Sequence, residues 1–99
     1  MPKLCCREVR FYSQADEVGF FRALESIKGI REIEGRGEDL VLTVPARLSQ
    51  ESLRDLLGVF RRYGVDLRQL AVFRTVKNEG WFCDRGVWWF EAVFGEKSE

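Results

Sequence analysis

Ninety-nine residues are enough for one domain and too few for two ordinary ones. Hydrophobic residues at 45% and charged residues at 32% make a globular composition, neither disordered nor membranous. Sixteen Lys and Arg balance sixteen Asp and Glu, so the chain has no net field to draw in nucleic acid or an anionic membrane.

The charges are unevenly placed. Residues 46–75 hold Arg47, Arg54, Arg61, Arg62, Arg68 and Arg74 against Glu51, Asp55 and Asp66, whereas residues 76–99 hold three positive and five negative side chains. Arginine outnumbers lysine twelve to four, and its planar guanidinium suits bidentate ion pairs and stacking on aromatic rings. Histidine is absent, which removes the usual general base near neutral pH and the commonest metal ligand. Cys5, Cys6 and Cys83 are odd in number and two are adjacent. They read as reduced thiols in a cytoplasmic protein and not as a disulfide framework. No secretory pattern precedes them, and no apolar stretch approaches the roughly 20 residues needed to span a bilayer.

Residues 3–12 read as a strand, with Cys5, Val9 and Phe11 on one face, Arg7 a misfit there, and Glu8 and Arg10 on the other. Ser13 begins a helix, and Asp16 three residues on completes a pattern like a capping box. Val18, Phe20, Phe21, Leu24 and Ile27 form its apolar face, and Gly29 is placed to end it in the left-handed conformation. Residues 30–34 make a short strand of weak pattern. Gly35-Arg36-Gly37 turns the chain into a β-branched strand over residues 39–44, with Leu40, Leu42 and Val44 on one face and Pro45 as its stop. Ser49 caps a second helix, in which Leu53, Leu56, Leu57 and Phe60 fall at i, i+3, i+4 and i+7, and Gly64 closes it. Residues 65–73, apolar in a run at Leu70-Ala71-Val72-Phe73, read as a fourth strand.

This order resembles the split βαβ pattern of the ferredoxin-like superfold. The fold expected is therefore α+β: a ferredoxin-like β-α-β-β-α-β sandwich over residues 3–75, with a four-stranded antiparallel sheet and two helices. The metal-chaperone and regulatory families of that fold lend it no function. The cysteines here are adjacent and lie inside the strand, and the first loop is Ser13-Gln14-Ala15. An aromatic C-terminal extension over residues 76–95 completes a single domain of residues 1–95, and residues 96–99 are expected to fray. Within the extension, residues 87–94 favour helix over strand, with Gly95 as the residue after it.

The extension carries the strongest functional signal. Trp81, Phe82, Trp88, Trp89, Phe90 and Phe94 fall within fourteen residues. So much aromatic surface either covers the sheet face left open by the two helices or meets another molecule. Trp81, Phe82, Trp88 and Trp89 are the candidate interface residues. Arg54 and Arg61, seven apart on the second helix, form a weaker second patch, with Glu51 and Asp55 as local partners in the plainer reading. The function expected is that of a non-catalytic interaction protein, binding a protein partner or its own copy. The alternative is a small-molecule module with a pocket between sheet and tail, lined by Phe11, Phe73, Trp81 and Trp89. No cofactor, metal or catalytic residue is expected. The third strand lacks the aromatics of an RNA-reading sheet, which argues against nucleic acid.

Overall fold

The computed structural model describes residues 2–7 and 9–95. The expected fraying of 96–99 and the place of Glu8 on the first strand lie outside the described residues. Strands β1 (Lys3–Cys6), β2 (Glu32–Arg36) and β3 (Asp39–Thr43) form one antiparallel sheet in the order β1-β3-β2. Helix α1 (Gln14–Ser26) follows β1, and α2 (Gln50–Tyr63) follows β3. A 3-10 helix (Leu67–Phe73) and two short helices, α3 (Glu79–Phe82) and α4 (Phe90–Phe94), complete the described chain. No helix among the described residues is long and apolar enough to cross a membrane.

Local chemistry explains most of these elements. Ser13 caps α1 by accepting from the Asp16 N–H at 3.3 Å, and the Asp16 carboxylate accepts from the Tyr12 N–H at 2.9 Å. Ser49 caps α2 in the same way through the Ser52 N–H at 3.1 Å. Gly64 ends α2 in the left-handed conformation, φ 72°. Arg36 pairs with Asp39, which leaves Gly37 and Glu38 as a two-residue turn with Gly37 at φ 63°. Positive φ at that position is what a tight hairpin needs. Gly29 is different from expectation: α1 ends at Ser26 with Ile27 as its extended C-cap, and Gly29 is there for close packing. A Cβ on it would lie 3.0 Å from Leu48 and 3.1 Å from the Ser52 hydroxyl.

The first strand is shorter than residues 3–12 and faces the other way. Leu4 and Cys6 are buried opposite Leu42 and Leu40, while Cys5 is half-buried on the outer face. Val9 and Phe11 have left the strand, and Phe11 packs on Phe20 at 5.5 Å and Tyr63 at 6.5 Å.

The four-stranded ferredoxin-like sheet is not formed. The sheet has three strands, and the described residues hold five helical segments in place of two. The chain expected as the fourth strand is the 3-10 helix. The reason lies in its period: Leu67, Leu70 and Phe73 are buried at spacings of three, and a helix with three residues per turn stacks such positions in one line. Asp66 opens it by accepting from the Arg68 N–H at 3.0 Å. The edge of β1 away from β3 is instead met by one side chain. The Gln69 amide accepts from the Cys5 N–H at 2.6 Å and donates to the Cys5 carbonyl at 2.9 Å, reproducing one residue's worth of strand pairing.

The inner face of the sheet, both long helices and the 3-10 helix share one hydrophobic cluster, to which Phe82, Trp89 and Val93 also belong. The outer face carries Lys3, Cys5, Glu32, Glu34, Val41 and Thr43, exposed or half-buried. The aromatic extension is therefore not a lid on that face. It packs on the other side, where α4 lies against the 3-10 helix and Trp81 meets α2.

Candidate functional site

Helices α3 and α4 span only four and five residues, too few to be stable in isolation. Their anchors are side chains. Phe82 is fully buried and meets Phe94 edge-on at 5.0 Å. The Trp89 indole N–H donates to the Phe82 carbonyl at 2.8 Å, which ties the start of α4 to the end of α3. The Asp84 carboxylate accepts from the Gly86 N–H at 2.9 Å and fixes the expected turn between them. Residues 87–89 form a turn ahead of α4, so the helix begins later than residue 87. Gly95 follows α4 in an extended conformation and not a left-handed one.

This anchoring divides the candidate residues into two groups. Phe82 and Trp89 (8% exposed) belong to the core and are withdrawn from the surface. Trp88 stands 52% exposed, its ring edge-on to Trp89 at 5.3 Å and 89°. Trp81 is half-buried and meets Trp89 edge-on from another side at 6.0 Å. Its indole N–H is buried with no acceptor among the described residues.

Arg54 and Arg61 join this surface. The Arg54 guanidinium lies 4.0 Å above the Trp81 ring, and that of Arg61 lies 5.7 Å from Trp88. The plainer reading gave Glu51 and Asp55 as their partners. Among the described residues, however, the ion pairs are Arg36–Glu34 and Arg74–Glu79, both exposed. The two arginines are held by ring faces, a contact worth about 0.5–1 kcal/mol where solvent reaches it. The resulting strip runs Arg54, Trp81, Trp89, Trp88, Arg61 along one flank of α2, with Trp89 as its floor.

Among the described residues, the four side chains expected to line a pocket between sheet and tail are not gathered around one: Phe11 lines one surface cavity and Phe73 another. Phe11 is committed to Phe20 and Tyr63, Phe73 is buried, and Trp81 and Trp89 are in direct contact. The thiols are dispersed as well. Cys6 is fully buried, and burial, with a smaller contribution from neighbouring Cys5, pushes its pKa up to about 12 from an ordinary value near 9. The expected face of Cys5, shared with Val9 and Phe11, is thus not the core face, and Cys6 is the core thiol. No cluster of three metal-ligating side chains occurs among the described residues.

Sequence reasoning missed two polar anchors, Gln69 and Asn78. The second had a visible signal. Thr75 and Asn78, three apart, exchange side-chain and backbone bonds of 2.8 and 3.2 Å in a turn typical of such residues. The chain matches no protein-family model, no curated protein and no solved structure.

Proposed function

We propose that this chain is a non-catalytic interaction protein of the cytoplasm that docks a protein partner on the strip formed by Trp81, Trp88, Arg54 and Arg61. The observation that carries this reading is Trp88. It is about half exposed, yet its ring is braced edge-on by a buried tryptophan and flanked by a guanidinium. A large ring held outward on a firm floor offers contact area with little ordering left to do on binding. Trp and Arg are also the residue types over-represented at binding hot spots. Phe82 and Trp89 contribute by fixing the floor. A second copy of the chain is one such partner, and it would bury the strip against itself about a two-fold axis.

Sedimentation over a wide concentration range separates the two forms. A homodimer gives a mass that doubles with concentration in the wild type and stays single in Trp88→Ala. A monomer implies a different protein. That partner should be retained by the wild type and by the control Val72→Ser, and bound at least about thirtyfold more weakly by Trp88→Ala, the scale of a hot-spot loss. A monomer whose captured protein binds the wild type and Trp88→Ala equally would overturn the reading.

A further inference from the structure

A separate surface lies where the loop after the 3-10 helix returns past the start of α2. A cavity of about 500 Å³ opens there. Leu48, Phe73 and Val76 give it apolar walls, Arg47 and Lys77 also line it, and no carboxylate does. Among the described residues neither cation is held in an ion pair. The volume falls in the range of roughly 300–1,000 Å³ common to small-molecule sites, and apolar walls with a few polar groups are their usual lining.

The loop is built to hold its shape. Asn78 is only 6% exposed; its amide donates to the Phe73 carbonyl at 2.8 Å and its oxygen accepts from the Thr75 N–H at 2.8 Å. The same loop leaves Val76 89% exposed. A fixed loop thus presents an apolar side chain next in sequence to Lys77, and Arg47 is also on the cavity lining. An anion entering the cavity meets two cationic residues and no carboxylate on its lining. An apolar stem on the anion removes Val76 and its neighbours from water.

We propose that this cavity binds a small amphipathic anion: a carboxylate or phosphate-type oxyanion held by Arg47 and Lys77, on a short apolar stem lying against Leu48, Phe73 and Val76. The site does not depend on the Trp88 strip. A rival cavity lined by Arg10, Arg61 and Arg62 is richer in cations, but the Asp16 carboxylate and two tyrosines line it too, so it suits this ligand less.

The test is titration of the ¹⁵N-labelled full chain with hexanoate, hexyl phosphate, hexanol and hexylammonium, followed by amide shifts. Hexanoate, hexyl phosphate or both should saturate, with the largest shifts at Leu48, Gln50, Val76, Lys77 and Asn78. The tighter of the two identifies the head group. Hexanol should bind at least about tenfold more weakly, and hexylammonium not at all. Arg47→Gln and Lys77→Gln change exposed side chains, and each should weaken binding about three- to tenfold. Failure of both anions to saturate, equal binding of hexanol, shifts centred on Arg10 and Arg62, or unchanged affinity in the Arg47→Gln/Lys77→Gln double variant would each overturn the proposal.

Discussion

Residues 3–63 and residues 64–95 reach similar burial by different means. The first stretch is held by repeating backbone structure: two antiparallel strand pairings and two capped helices of 13 and 14 residues. The second has no strand and no helix longer than seven residues. Its shape rests on side-chain-to-backbone bonds from Asp66, Gln69, Asn78, Asp84 and Trp89. Both stretches nevertheless contribute to one hydrophobic cluster. Where helices are too short to hold themselves, each polar side chain that finds a backbone partner decides the local path. Such a segment can bury one of two adjacent tryptophans and display the other.

The second stretch is a true part of the core, with Phe82 at its centre of burial. Phe82→Ala should destabilise the chain by about 3–5 kcal/mol, the cost of deleting a buried aromatic ring. Urea unfolding should show it as a shifted single transition. A loss below about 1 kcal/mol would mean that residues 64–95 are a loose flap.

Gln69→Ala probes the bond between the stretches. It leaves the Cys5 N–H and carbonyl without their partner at a half-buried edge, and about 1–2 kcal/mol should be lost by the same measurement. No change would show that solvent satisfies β1 equally well.

The smallest effect at neutral pH concerns Cys6. Its thiol is held protonated by the fold, with a pKa raised from about 9 to about 12. The associated stability is fully present below pH 9 and is lost as pH rises toward 12. Unfolding free energy should fall by about 1.4 kcal/mol per pH unit in that window, and this component should vanish in Cys6→Ala. An identical pH slope in Cys6→Ala would refute the burial assignment.

What was legible in the sequence follows the same division. The i, i+3, i+4, i+7 pattern of Leu53, Leu56, Leu57 and Phe60 and the capping serines gave α2 and the start of α1, and the glycine-rich turn gave the hairpin to within one or two residues. The fourth strand was misread because an apolar run of Leu70 to Phe73 suits a strand, and only the spacing of Leu67, Leu70 and Phe73 reveals the 3-10 helix. The bond that replaces strand pairing joins Gln69 to Cys5 across 64 positions, a link no local pattern carries. The seven-residue spacing of Arg54 and Arg61 put them on one flank, but the rings they stack on lie on other elements. Trp88 and Trp89 are neighbours of one kind. The hydrogen bond to the Phe82 carbonyl separates them, and that bond exists only once α3 and α4 are folded together.

The division of the tryptophans is therefore the point to measure. Acrylamide quenching of two single-tryptophan proteins, Trp81→Phe/Trp89→Phe and Trp81→Phe/Trp88→Phe, compares Trp88 with Trp89 directly at concentrations low enough to hold the chain monomeric. The structure predicts red-shifted, strongly quenched emission from Trp88 and blue-shifted, protected emission from Trp89. Equal protection of both rings in the monomer would contradict the account, because Trp88 would then be filling this chain's own core and not facing a partner.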